Sequence, residues 1–143
     1  MQVKYKDDKK SHMVLIEEIP MPNSLTVEVW DKSISIAADT TKVALSIRIR
    51  IKLQPSYFAK PDHYERVRKI MGPEFFFEYE KVRAFVRDRE KNAIFQELLA
   101  AFKKNSLPYL SRPSFPASFA LSKYRDIEKN SYKYSSFLRN SSS

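Results

Sequence analysis

Residues 43–53, VALSIRIRIKL, alternate between apolar and polar with a period of two. Val43, Leu45, Ile47, Ile49, Ile51 and Leu53 share one side, and Lys42, Ser46, Arg48, Arg50 and Lys52 the other. Successive side chains of a strand point to opposite faces, and β-branched residues fit a pleated, half-buried surface. The pattern predicts a strand over 42–53 with one core face and one basic face. LTVEVWD alternates in the same way, with Leu25, Val27 and Val29 against Thr26, Glu28 and Trp30. KSISIAADTTK offers Ile34 and Ile36 before a polar turn at Asp39–Thr41, and MVLIEEIPMPNS is a short apolar run stopped by Pro20 and Pro22. Prolines of that kind suit an edge strand.

EFFFEYEKVRAFVRD changes phase. Phe75, Phe77 and Tyr79 match one parity, Val82, Ala84 and Val86 the other. One extra residue flips every later side chain to the opposite face, so a bulge near Glu80–Lys81 is predicted. Period-3.6 patterns fill the rest. A short helix is expected over 62–71, with Asp62 as its cap, Val67 and Ile70 inward, and Gly72–Pro73 as its stop. Asp88 is positioned to cap a helix carrying Ile94, Phe95, Leu98, Leu99 and Phe102, and a last helix over 116–129 puts Phe119, Ala120, Tyr124 and Ile127 together. SLPYLSRPSFP, with three prolines, reads as a stiff joint between them.

Strands followed by helices predict an α+β fold. The sheet is antiparallel and meander-like, with four to five strands over 14–87, covered by two C-terminal helices. The segment 1–12 reads as a flexible lead-in, 13–130 as one α+β domain, and the serine-rich 131–143 as a mobile tail.

Composition changes this picture in three places. At 143 residues, 43% apolar and 13% aromatic, the chain can bury a ring-rich core. It has no cysteine, which removes disulfides, thiolate nucleophiles and cysteine-held zinc. Gly72 is its only glycine, so neither a phosphate-cradling loop nor a dinucleotide fingerprint can be written in it. No apolar run approaches the ~20 residues that span a bilayer, and no signal-peptide core precedes Glu17 and Glu18. A cytoplasmic protein without a membrane partner is the expectation.

The net charge of +9, with a sequence pI near 9.7, raises the question of what the basic strand face does. Arg48, Arg50 and Lys52 stand ~7 Å apart along one face, a row able to track a phosphate backbone. Arg83 and Arg87 would assist if the bulge brought them near, with Trp30, Tyr57 and Tyr79 as stacking platforms. The competing arrangement is a ladder in which Glu78 and Glu80 of the later strand oppose the arginines, each pair contributing ~0.2–1 kcal/mol and fixing register. The ladder accounts for the acidic and basic rows together and is the favoured expectation.

Other chemistry is sparse. His63 has only His12 as a second imidazole, short of the three or four ligands a metal needs. Glu17 and Glu18 face opposite ways on a strand, and Glu78 and Glu80, beside arginines, are in the wrong state for a general acid. No catalytic residue, cofactor or metal is assigned. In the joint, Tyr109, Phe115 and Phe119 form a candidate contact ridge. The expected function is a small non-enzymatic interaction module, binding a protein partner or a second copy. Nucleic-acid or polyanion binding through the basic face of 42–53 is the alternative.

Overall fold

The computed structural model describes residues 13–131, 133 and 134; the expected lead-in over 1–12 and nearly all of the expected tail over 131–143 lie outside the described residues. The protein is α+β, with a five-stranded antiparallel sheet curled into a half-barrel. The strands are β1 (Val14–Pro20), β2 (Thr26–Asp31), β3 (Ile34–Ala37), β4 (Thr40–Lys52) and β5 (Glu74–Arg87). The helices are α1 (Pro61–Met71), α2 (Lys91–Asn105), the one-turn α3 (Leu107–Leu110) and α4 (Phe115–Lys129).

The meander is visible in the register. Val27 opposes Ile49 and Asp31 opposes Leu45, while Ile34 opposes Lys42 and Ser35 opposes Thr41. The offset is constant, so β2 and β3 are two lengths of one ribbon along the same edge of β4, and β5 takes the other edge. The break between them has a local cause. Asp31 Oδ1 accepts the Ser33 N–H at 2.9 Å, and Ser33 Oγ accepts the Ala44 N–H at 2.9 Å. Short polar side chains that bond nearby backbone compete with the ladder in this way.

The described residues group into two compact units, 13–49 with 77–111 and 50–76 with 112–131, 133 and 134. In the first, Val27, Val29, Val43, Leu45, Ile47 and Ile49 are wholly buried, and Phe95, Leu98, Leu99 and Phe102 of α2 join the core. The Tyr79 and Phe102 rings lie 5.9 Å apart, and Lys103 Nζ reaches Glu17 at 3.1 Å. In the second, Ile51, Val67, Ala120 and Ile127 are wholly buried beside Phe58, Phe75 and Phe115. There α1 and α4 lie side by side in the same sense, because His63 stacks on Tyr124 and, further along both helices, Arg66 bonds Glu128. Among the described residues no helix is long and apolar enough to cross a membrane.

Four local expectations are corrected. Asp88 does not cap α2: it opens a single 3-10 turn (Asp88–Glu90), and its carboxylate accepts the Thr41 hydroxyl at 2.6 Å. Asp62 lies inside the first turn of α1, behind Lys60 and Pro61, where its charge favours the helix dipole. The joint contains α3, with Pro108 in the first turn, a position that proline tolerates. The phase change of β5 is real but sits later than Glu80–Lys81. Phe77 and Tyr79 are part-buried and Val86 is buried, and the residue out of step is Phe85, with φ 59°. From Arg48 back to Asp39 is one residue fewer than from Glu78 forward to Asp88. Arg48 faces Glu78, and the Asp88 N–H bonds Asp39 O, so β5 holds the extra residue that defines a bulge. Gly72 ends α1 at φ 85°, a conformation other side chains rarely adopt.

The wholly buried row of β4 sets the stability. An Ile47→Ala variant is expected to lose about 2–5 kcal/mol, read from urea unfolding with an unchanged m-value.

Candidate binding surfaces

On the open face of the first unit, opposite the aliphatic row, Arg48 and Lys32 each have an acidic neighbour. Arg48 stands directly opposite Glu28 in the β2–β4 register, and its Nε lies 3.5 Å from Glu78 Oε2 on β5. Glu28 is itself held by the Trp30 indole N–H, which donates to it at 2.9 Å. Lys32, in the break between β2 and β3, reaches Glu80 at 3.6 Å. The ladder expected from sequence is present, with one change of partner. Glu78 faces Arg48, whereas Glu80 takes Lys32 and no arginine. These groups enclose a depression of about 460 Å³ whose lining includes Trp30, Lys32, Ser46, Arg48, Glu78 and Glu80. Its two cations already have carboxylate partners, so it offers no net attraction for an anion.

Arg50 and Lys52 belong to the second unit. Arg50 lies 3.7 Å from Glu74 and 5.8 Å from the centre of the Phe76 ring; Lys52 is exposed. Arg83 pairs with Glu97 of α2 at 3.9 Å, so it stands on the helix side of the sheet, away from Arg48. Arg87 is exposed at the end of β5. Within the first unit, Arg48 and Arg83 therefore do not share a surface. The bulge does not bring Arg83 to the open face because it comes after Arg83, at Phe85.

The aromatic ridge also divides. Tyr109 is 51% exposed in α3 of the first unit. Phe115 is buried and Phe119 stacks between it and Phe75, with centroids 5.8 and 5.4 Å away. Proline at the start of α4 begins a helix at the residue where the sequence suggested a loop, and the helix turns both rings inward. His63 has a partner of its own, the Tyr124 ring at 4.3 Å.

The feature that sequence reasoning missed is on β5. From Glu80 through Phe85, six consecutive strand residues are exposed, so this length is covered on neither face. Val82 is 42% exposed and Phe85 80%. Apolar residues in a strand ordinarily imply burial, and Val82 and Phe85 depart from that rule. The other sheet edge, β1, is protected by a bulge at Ile16, by Glu17 and Glu18, and by Pro20, the usual defences against strand pairing. No protein-family model, curated protein or solved structure matches the chain.

Two outcomes follow from these surfaces. A double-mutant cycle on Arg48 and Glu78 is expected to give a coupling of about 1 kcal/mol or less that falls with salt, since both groups are solvent-accessible. Burial, and then the Glu128 carboxylate, raise the Tyr124 phenol above its ordinary pKa, against a smaller opposite effect of Arg66; burial raises Tyr57 too. The folded state thus prefers the neutral phenols. Their contribution is complete below the unfolded value near ~10 and is lost as pH rises through the folded one. Urea midpoints measured above that pH should fall less steeply for Tyr124→Phe than for the parent.

Proposed function

We propose that the protein is a non-enzymatic interaction module that binds an extended partner segment along the free edge of β5, as an added antiparallel strand. The observation that carries this reading is the uncovered length Glu80–Phe85. An unpaired edge offers its N–H and C=O groups as a template, and proteins that accept strands use such edges. Phe85 adds to it. A bulky residue at positive φ is held at a cost of about 1–3 kcal/mol, and such strain collects at functional sites. Here it displays an 80% exposed ring.

The side chains state what the partner should be. Before the bulge, Lys81 and Arg83 share one face and Val82 and Ala84 the other. An extended partner that alternates acidic and apolar residues matches both rows. A second copy does not. In a two-fold antiparallel pair the register must be centred on a residue, because paired side chains share a face. Centring on Glu80, Lys81 or Arg83 opposes that residue to itself, and centring on Val82 opposes Lys81 to Arg83. Like charges directly opposite are destabilising.

The test uses labelled peptides alternating valine with glutamate or with lysine, followed by fluorescence anisotropy and by amide chemical shifts of the protein. The acidic peptide should bind and move the amides of 80–85. Lys81→Glu/Arg83→Glu should weaken it about two- to thirtyfold, from two cross-strand pairs, and favour the lysine peptide. Phe85→Gly should be no less stable than the parent yet bind more weakly. Equal binding of both peptides, shifts elsewhere, or a dimer by sedimentation would overturn the reading.

A further inference from the structure

We infer that the depression on the open face of the first unit is a specificity pocket of the β5 edge, and that it takes an arginine side chain of the added strand. The inference rests on the edge reading and names a further residue of the partner. In strand addition the main chain supplies affinity, and pockets for alternate side chains supply specificity. Glu80 belongs both to the uncovered length of β5 and to the lining of the depression. The register shows how the two adjoin. Trp30 stands opposite Ser46. Arg48 faces Glu78, so two residues further along these antiparallel strands Ser46 faces Glu80. Ser46, the smallest of the three, thus lies between an indole and a carboxylate, and all three line the depression. An added strand runs one spacing, ~5 Å, beyond Glu80 and two, ~10 Å, beyond Ser46. A long side chain rooted opposite Glu80 crosses that rim and ends in the depression.

Charge and ring together select a cation. Lys32 and Arg48 are each met by a carboxylate, Glu80 and Glu78, and Glu28 stands opposite Arg48 as a third. Glu18 of β1 faces Glu28 in turn, so the next strand brings no cation to that position. One more positive charge balances the five groups of β2, β4, β5 and the break at Lys32. The Trp30 ring is held in place, since its N–H donates to Glu28 at 2.9 Å, and an indole face attracts cations more than any other side-chain ring. A guanidinium lies flat on such a face and forks to a carboxylate, where an ammonium offers only a point charge.

The direction of the added strand fixes where the arginine stands. An antiparallel partner passes Ala84 first and Glu80 last. Val82 and Ala84 share the open face with Glu80, while Lys81 and Arg83 share the other. Opposite Ala84, Arg83, Val82, Lys81 and Glu80 the partner therefore reads Val-Glu-Val-Glu-Arg, with its cation at the C-terminal end. The reversed order sets the cation opposite Ala84, away from Trp30.

Trp30 is the only tryptophan of the chain, so its indole N–H resonance reports the depression directly. The test compares three peptides with blocked ends: Val-Glu-Val-Glu-Arg, the same sequence with citrulline (the neutral isostere of arginine), and the reversed Arg-Glu-Val-Glu-Val. Affinities come from anisotropy of labelled peptides, and sites from amide and indole chemical shifts. The arginine peptide should bind about three- to thirtyfold more tightly than the citrulline peptide, from one cross-strand charge pair and one exposed cation–π contact. It alone should move the Trp30 indole resonance. Trp30→Leu and Glu80→Gln, with folding verified by circular dichroism melts, should each bring the arginine-to-citrulline affinity ratio down towards one. Equal affinity of these two peptides, with the amides of 80–85 shifted by both, would overturn this inference and leave the edge reading standing. No shift at 80–85 from any peptide would overturn both. A Trp30 shift as large with the reversed peptide, or a ratio unchanged in both variants, would overturn the pocket alone.

Discussion

The structure depends on the alternation of β4. Five of its residues, Val43, Leu45, Ile47, Ile49 and Ile51, have no exposed surface at all, and each such burial is worth about 1.5–3 kcal/mol. A slip of one position would exchange that row for Lys42, Ser46, Arg48, Arg50 and Lys52. The register of each strand beside β4 is fixed by that difference. From Val27 to Ser35 the β2–β3 ribbon keeps one offset along one edge of β4, even where its own hydrogen bonding is interrupted at Ser33, and it shifts only at its end, between Ser35 and Ala37. Burial of the aliphatic row continues past the break, which is why the break does not change the pairing.

Ion pairs refine this register; they do not create it. The pairs Arg48–Glu78, Lys32–Glu80 and Arg50–Glu74 lie at 3.5–3.7 Å, with their side chains a third to two-thirds exposed. Such pairs contribute up to about 1 kcal/mol each, less than one buried isoleucine. Their larger effect is to match Arg48 and Lys32 with carboxylates on the open face of the first unit. Glu28, opposite Arg48 and anchored by Trp30, adds a third carboxylate beside those two cations.

The strands and long helices were legible because each has a strong period: two in β2 and β4, near 3.6 in α2 and α4. The ladder was legible because acidic and basic rows of matching spacing occur in β4 and β5. What was not legible depended on neighbours distant in sequence. Asp88 has the residue type of a cap, but Thr41, forty-seven positions earlier, takes its carboxylate. Phe115 looks like a surface ring in a proline-rich joint until α4 begins at that residue. The bulge was predictable from parity and its position was not, because only the backbone at Phe85 separates one location from another. The exposure of Val82 and Phe85 was hidden for a related reason: apolar alternation signals a core face, and nothing local says that this end of the strand is left uncovered.

The two units differ in how their surfaces are composed. Among the described residues, the first has equal numbers of basic and acidic side chains and all of the exposed large apolar ones; the second has the excess of cations and none of those apolar side chains. Apolar exposure costs solvation and promotes unspecific association. Both edges carry charges and a bulge, and β1 adds Pro20; the edge of β5 also displays the strained ring of Phe85. Ile16 of β1 is exposed to the same degree as Val82, so edge position accounts for exposure of that size and Phe85, at 80%, goes beyond it. The exposed ring of Phe85, held at positive φ and without a counterpart on β1, is therefore the stronger argument that β5 is kept open for pairing.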